Sequence, residues 1–306
     1  MADIDAAEFR TLYARCRHAA AAAGPLGSAL DRIVPDRVVA AAAEVRTGTT
    51  VSLAAPVETA PGPDNPEPAG HRMTGTVAGE IDESGLQFAR DRFAMNVHGD
   101  ADSHLDALCH VIYNGTLFGG ADAGMVKPEG AQTLSVALAR DGIVGRGVLL
   151  DIPRLRGVPW LEPGEQVTAE ELAAAEAAQG VRVGTGDLLF VRVGHRRRRA
   201  ERGAWDAAAA RAGLHPYAMD FVAERRVAVL GGDGNNDVAP STTEDVAFPI
   251  HVLAVHAMGI HLLDYLQFED LVPVCEQQRR WSFLCVVAPL RFSGATGSPV
   301  NPIAVM

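Results

Sequence analysis

The sequence has few cysteines and little positive charge, and each shortage argues against a class of protein. Its four cysteines form no CxxC pair and no framework suited to secretion, so we expect reduced thiols and a cytoplasmic location. Only 27 lysines and arginines stand against 38 aspartates and glutamates, which gives a formal net charge of −11. Because nucleic-acid binding needs a basic face, this balance argues against nucleic acid as a partner.

Long apolar runs are also missing. No stretch of about 18 apolar residues occurs, so the sequence predicts no membrane span. The acidic start, with Asp3, Asp5 and Glu8, is incompatible with the apolar core of a signal peptide. The 306 residues are enough to bury a sizeable core, and we expect the partner to be a small-molecule substrate.

Helix and strand signals alternate along the chain, which favours a single α/β domain over residues 1–306. An N-terminal helix is predicted over 4–23, ending at Gly24, and a second helix opens at Pro35. Thr168 and Glu171 form a capping box for an alanine-rich helix that ends at Gly180. Apolar runs predict strands over 49–53, 145–152 with a turn at 153, 188–193, 226–233 and 260–266.

Two further segments each allow two interpretations. Residues 55–70 are rich in proline, alanine and glycine and form either a lid or a variable surface loop; we favour the surface loop. Residues 196–199 are four consecutive arginines. They either clamp an anionic substrate or lie in an exposed, solvated loop, and we favour the exposed loop.

The most informative stretch is residues 103–110 (SHLDALCH). His104 and Asp106 offer one nitrogen and one oxygen donor, which suits Zn²⁺, Mn²⁺ or Fe²⁺. His110 follows Asp106 by four residues, so on a helix it would lie beside the ion without having to bind it. His98 and Asp100 stand just before the motif.

The same stretch also matches an ordinary helix start. Ser103 and Asp106 have the spacing of a capping box, and the histidines would then be plain helix residues. A capping box does not require histidine at 98, 104 or 110. We therefore favour the metal site, and the two interpretations are compatible.

A second histidine cluster lies in the last quarter of the chain. His251 and His256 fall on a short apolar helix predicted over 249–259, about 140° apart around its axis. His261 and Asp264 fall on the next strand and point to opposite faces. At most one histidine of the helix and one polar group of the strand can therefore join the first cluster. Each histidine is equally compatible with an ordinary packed position.

Together these residues resemble the cyclase-type metal-dependent hydrolase family, which includes bacterial kynurenine formamidase and isatin hydrolase, in its longer branch. The matching segments are 103–110 (SHLDALCH), 111–115 (VIYNG), 142–151 (GIVGRGVLLD), 159–164 (PWLEPG), 186–189 (GDLL), 249–251 (PIH) and 297–302 (GSPVNP). The resemblance implies a swivelling β/β/α-type fold with a mixed sheet and flanking helices. It also implies a homodimer or homotetramer, a divalent metal (Zn²⁺ or Mn²⁺), and hydrolysis of a C–N bond in a small amide or lactam.

The resemblance assigns roles to individual residues. His104 and Asp106 fall on metal ligands, and His251 falls on a later ligand. His110 falls on the general acid/base, and Asp264 falls where the family usually has glutamate.

Two departures from the family pattern affect the ion. The shorter branch of the family has a histidine four residues before the position of His104; here that position is Asp100, and the nearest histidine is His98. Asp264 is one methylene shorter than glutamate, so it is expected to reach the ion through water. We expect one tightly held ion, leave a second open, and keep His98, Asp100 and Asp264 as additional candidates for the ion or its surroundings.

The implied chemistry is hydrolysis with His110 moving the proton. Phe118 and Trp160 are candidates to wall an aromatic substrate, although core packing explains both equally well. Two other functions stay open: a polyketide-type cyclase or dehydratase that uses the same metal site, and a non-catalytic metal-binding protein.

Overall fold

The computed structural model describes residues 3–19, 27–75 and 85–306. The helices in these ranges are Ala6–Ala19 (α1), Pro35–Ala42 (α2), Ile152–Arg156 (α3), Ala169–Gln179 (α4), His195–Arg202 (α5), Ala218–Arg225 (α6), Pro249–His251 (α7) and Leu271–Gln278 (α8). A π-helical turn, Val252–Ala257, continues α7. Short 3₁₀ turns occupy Ala29–Arg32, Phe118–Gly120, Ala123–Met125 and Val136–Ala139. None of the described helices is long and apolar enough to cross a membrane.

The strands are mostly short. They are Thr50–Ser52 (β1), Gly70–Gly75 (β2), Arg90–Ala94 (β3), His104–Asp106 (β4), Val126–Lys127 (β5), Gly130–Ala131 (β6), Ile143–Asp151 (β7), Gln166–Val167 (β8), Leu188–Arg192 (β9), Gly213–Leu214 (β10), Val229–Gly232 (β11), His261–Asp264 (β12), Ser282–Val287 (β13), Gly297–Pro299 (β14) and Ile303–Val305 (β15).

A mixed sheet organises the fold, in the order β1-β15-β13-β7-β9-β11-β12-β4-β14. The four central strands, β7, β9, β11 and β12, run parallel. Antiparallel strands flank them on both sides. Because parallel strands end at the same edge of a sheet, the carboxyl ends of β11 and β12 lie close together, beside β4.

Both faces of the central strands are buried. Val148 and Leu150 of β7 point into one core cluster, which also contains α1, α4 and α6 side chains. Leu149, between them, points into a second cluster with Phe190 and Phe283. The period-2 alternation of a strand produces these two cores, and covered faces on both sides are typical of parallel sheets. The mixed α/β fold expected from the sequence is confirmed.

Several local signals give the expected structure. Thr168 Oγ1 accepts a hydrogen bond from the Glu171 backbone N–H, and the Glu171 carboxylate accepts one from the Thr168 backbone N–H. Gly180 ends α4 in the left-handed region, at φ 62°. Pro35 opens α2, and β1, β7, β9, β11 and β12 lie at the predicted strands. Helix α1 begins at Ala6, two residues after the predicted start, and the predicted end at Gly24 lies outside the described residues.

Three local predictions are wrong. Residues 104–106 form a strand and not the start of a helix, because β12 and β14 pair with them from both sides. Ser103 therefore caps nothing, and its hydroxyl donates to the Tyr265 carbonyl at 2.6 Å. Pro153 lies in the first turn of α3. The four arginines belong to α5, with Arg196 only 7% exposed. The helix predicted over 249–259 is present as α7 and the π turn that continues it to Ala257.

Candidate functional site

Two neighbouring strands supply the first donors of the site. His104 and Asp106 are two residues apart on β4, so they share a face of the sheet, and Nε2 of His104 lies 3.6 Å from Oδ1 of Asp106. Asp264, the last residue of β12, pairs directly with His104 in the antiparallel register. All three side chains are buried, with Asp106 only 1% exposed. Strand geometry, and not the predicted helix, brings these donors together.

His251 reaches the same point from α7. Its Nε2 lies 3.3 Å from Oδ2 of Asp106 and 3.4 Å from Oδ2 of Asp264. His256 lies elsewhere, where Nδ1 is 2.9 Å from the Tyr13 hydroxyl. This confirms the prediction that only one histidine of the helix can join the first cluster. The π turn begins directly after His251, and such turns often occur at functional sites.

Two more histidines complete the cluster. Nδ1 of His98 lies 2.8 Å from Oδ1 of Asp106, and Nε2 of His98 lies 2.9 Å from the Thr296 hydroxyl. The His98 and His110 rings stack with centroids 3.6 Å apart and an interplanar angle of 6°. Four histidines and Asp264 therefore converge around Asp106.

Hydrogen bonds to the outer ring nitrogens fix how two of these histidines face the centre. Nδ1 of His104 lies 2.8 Å from the Asp102 carbonyl, which can only accept, so this nitrogen carries the proton. The lone pair of His104 Nε2 then faces Asp106. Nδ1 of His251 lies 2.5 Å from Oδ2 of Asp237 in the same way. This arrangement is typical of metal-binding histidines.

The donor set fits a divalent cation. Two groups have ligand atoms within 4.8 Å of one another, His98–Asp106–His110 and His104–Asp106–Asp264, and they share Asp106. Oδ2 of Asp106 is buried and has no hydrogen-bond partner in the described part of the chain. Because buried carboxylates are costly unless a positive centre compensates them, this oxygen favours an ion or a proton between the acceptors. Mixed imidazole and carboxylate donors suit Zn²⁺, Mn²⁺ or Fe²⁺.

The charges within the cluster are strongly coupled. Burial opposes ionisation of Asp106, but the adjacent His251 and His98 outweigh it and hold the pKa of this carboxyl well below its usual value. For His251, the neighbouring Asp106, Asp237 and Asp264 overcome burial and raise its pKa. Burial lowers the pKa of His110 to about 4, so its imidazole is neutral at pH 7. A neutral imidazole beside an ionised donor set is able to accept a proton.

The sequence interpretation missed the residues that follow β11. Asp237 is fully buried and accepts hydrogen bonds from the backbone N–H groups of Ile250 and His251, at 2.6 and 3.2 Å. Asn236 and Asn235 donate to the two oxygens of Asp264, at 2.5 and 3.2 Å. The signal was a polar run, 233–237, at the carboxyl end of a buried strand.

Three other candidates lie apart from this cluster. Asp100 accepts a hydrogen bond from the Tyr265 hydroxyl and belongs to neither donor group. Phe118 packs on Gly259, where an added Cβ would lie 2.5 Å from the ring. Trp160 donates to Glu162 and packs against Gly194, at the start of α5.

His261 also lies away from the donors. Its position on β12 differs in parity from Asp264, so its side chain points to the opposite face, as predicted. The side chain is fully buried, and neither ring nitrogen has a hydrogen-bond partner among the described residues. Burial lowers the pKa of His261 to about 4.

Comparisons with known proteins identify the family and the fold. The Cyclase family model, described as "Putative cyclase", matches residues 36–236, about two thirds of the chain. A crystal structure of a novel cyclase is 30% identical and superposes with a TM-score of 0.80, covering 91% of this chain and 95% of the other. No curated protein matches the sequence closely enough to count as a relative.

Two more distant structures share the fold. Isatin hydrolase A from Labrenzia aggregata, bound to benzyl benzoate, is 22% identical with a TM-score of 0.59, over 88% of this chain and 97% of the other. A predicted metal-dependent hydrolase from Bacillus stearothermophilus is 17% identical with a TM-score of 0.52, over 84% and 97%. The matched family model and the 30% identical structure show the family: this chain belongs to the cyclase family.

Proposed function

We propose that the protein hydrolyses a C–N bond in a small aromatic or cyclic amide or lactam, with Zn²⁺ or Mn²⁺ as its cofactor. The observation that carries the proposal is the convergence of imidazole and carboxylate donors on Asp106, whose buried Oδ2 lies 3.3 Å from His251 Nε2 and has no hydrogen-bond partner among the described residues. The isatin hydrolase that shares the fold supports the choice of bond, because isatin is a cyclic amide. From the family resemblance we also propose a homodimer or homotetramer, and from the four unpaired cysteines a cytoplasmic location.

In this proposal His104, Asp106 and His251 hold the ion. His98 and Asp264 lie against Asp106 and His251 and supply further donors. A bound divalent cation lowers the pKa of water towards 7 and polarises a carbonyl. Two hydrogen bonds orient the donor histidines: the Asp102 carbonyl accepts from Nδ1 of His104, and the Asp237 carboxylate accepts from Nδ1 of His251.

His110 moves the proton. Its ring stacks on His98 and is neutral at pH 7, so a ring nitrogen can take a proton from the attacking water. The same nitrogen can then donate that proton to the departing amine nitrogen, which otherwise leaves as an unstable anion. Such positioned proton transfer contributes about 10²–10⁴-fold to the rate. Phe118, beside the π turn, is our candidate for an aromatic wall.

The decisive experiment separates metal binding from turnover. His104→Ala and Asp106→Ala should lose both the metal, measured by elemental analysis, and hydrolysis of formanilide or isatin. His110→Ala should keep the metal and lose turnover by at least about 10²-fold. His18→Ala, an exposed histidine on α1, is the matched control and should change neither.

Two outcomes would contradict the proposal. Metal loss in His110→Ala would show that His110 is a ligand and not the proton carrier. A wild-type protein that holds metal but hydrolyses no amide, lactam or lactone would reject hydrolysis. Turnover in ¹⁸O-labelled water tests the reaction type further, because hydrolysis places one labelled oxygen in the product acid and ring closure does not.

A further inference from the structure

The arginine run of α5 has an inner and an outer side. Arg197 lies outside, half exposed, and pairs with Glu201 on the same helix at 2.8 Å. Arg196 and Arg199 are three residues apart and share the inner side. Nη2 of Arg196 donates to the Ala101 carbonyl at 2.7 Å, just before β4. The inner arginines therefore contact segments near the donor cluster.

Arg199 holds the proline-rich segment. Its guanidinium donates to both oxygens of Asp64 and, from Nη1, to Glu58 at 3.0 Å. The Asp64 side chain is 1% exposed, so this ion pair is largely shielded from water. A bidentate Arg–carboxylate contact fixes geometry as well as charge. The segment is thus fastened to α5 and is not a free surface loop.

Within the segment, two backbone hydrogen bonds close a turn. Gly62 and Asn65 exchange backbone hydrogen bonds, both at 3.0 Å. The Glu58 N–H donates to Asp102 at 2.9 Å, which joins the segment to the residues that precede β4. Asp102 also carries the carbonyl that orients His104. Arg199 and Asp102 therefore hold residues 58–67 at two points.

This segment forms part of a cavity that has one residue of the donor cluster, His98, in its wall. The cavity has a volume of about 200 Å³. Residues 64–67 supply one part of its wall, and residue 96 with residues 98–102 supply the rest. His98, in that wall, contacts Asp106. Asn96 donates to Glu67 at 2.6 Å, so the two parts also touch directly.

We infer that Arg199 is a positioning residue, which fixes residues 58–67 as a wall of the substrate pocket and so sets affinity for the part of the substrate beyond the reacting carbonyl. This inference rests on the proposed function, which identifies the molecule in the pocket as an amide or lactam substrate. It also revises the interpretation of residues 55–70 as variable surface, because Asp64, Asn65 and Glu67 line the cavity beside His98.

Amide hydrogen exchange tests, without any metal, whether Arg199 holds residues 58–67 against α5. Arg199→Ala should speed exchange of the Gly62 and Asn65 amides at least about tenfold, since their mutual hydrogen bonds lose their support. Arg197→Ala, on the exposed side of the same helix, should leave both rates unchanged. Unchanged exchange in Arg199→Ala would overturn the inference.

Hydroxamate binding tests the wall. With the metal-loaded protein, Arg199→Ala should weaken benzohydroxamate about tenfold, because the wall is no longer pre-organised, and leave acetohydroxamate within about twofold. The benzohydroxamate affinity of Arg199→Lys should lie between those of wild type and Arg199→Ala. The double variant that exchanges the pair, Asp64→Arg with Arg199→Asp, should recover part of the lost affinity. An equal loss of affinity for both hydroxamates in Arg199→Ala, or no loss, would contradict the claim that residues 58–67 form a wall of the substrate pocket.

The two experiments separate the two claims. If neither hydroxamate binds the wild-type protein, the proposed function fails, and the exchange rates of the Gly62 and Asn65 amides still decide whether Arg199 fastens the segment. If both bind and hydrolysis of amides is found, the ratio of the two affinities decides whether the wall contacts the ligand. Kinetics of Arg199→Ala should then show a raised KM with kcat unchanged.

Discussion

Asp237→Asn should weaken metal binding although it replaces none of the proposed metal ligands. Asp237 accepts from His251 Nδ1 and from two backbone N–H groups, and it is fully buried. Asparagine keeps the shape but removes the negative charge and replaces one accepting oxygen by a donor. A hydrogen bond to a charged group contributes about 1.5–3 kcal/mol, which matches the 10- to 100-fold loss seen when partners of metal-binding histidines are removed.

The assay is a competition titration of the purified protein with a chromophoric chelator, alongside circular dichroism to confirm folding. The matched control is Asp233→Asn, since Asp233 is equally buried in the same segment but accepts from the Val193 backbone. The control should bind metal within about twofold of wild type. A folded Asp237→Asn protein with wild-type metal affinity would refute the argument that Asp237 orients His251.

Three further predictions concern stability and specificity. His261 is neutral and buried with a pKa of about 4 against about 6.5 unfolded, so falling pH favours the unfolded state. Its own contribution should be a loss of about 2 kcal/mol between pH 7.5 and pH 5, so in urea titrations His261→Leu should lose about that much less stability than wild type over this range. Thr168→Ala should lower the free energy of unfolding by about 1 kcal/mol through the lost cap, and an unchanged midpoint would contradict it. Because Glu67 and Asp100 line the cavity beside His98, neutral formanilide should be hydrolysed with a higher kcat/KM than anionic 2-formamidobenzoate at low salt, and the opposite preference would show that these carboxylates do not face the substrate.

Local sequence signals determined the elements that depend on neighbouring residues. The capping box at Thr168, the helix start at Pro35 and the apolar runs of β7, β9 and β11 each act over a few residues. The donor residues were also visible, because the cluster around His104 and the later His251 are unusual combinations of side chains. Parity alone predicted that Asp264 and His261 face opposite ways.

Long-range contacts decided what local signals could not. The capping-box spacing at Ser103 favours a helix, but pairing with β12 and β14 on both sides makes 104–106 a strand, and the tertiary hydrogen bonds outweigh local propensity. The sequence likewise left His98 and Asp100 as equal candidates. The structure separates them, since His98 contacts Asp106 while Asp100 binds the Tyr265 hydroxyl.

By itself, the sequence determined the α/β alternation and the chemical identity of the donors, since both depend on residue type and on short spacings. Only the tertiary structure decided which donors meet, that Asp237 orients His251, and that Arg199 reaches Asp64 across 135 residues of chain. The physical reason is that each of these contacts joins segments remote in sequence, and their approach is set by the register of the sheet and the packing of helices on it, which no local pattern encodes.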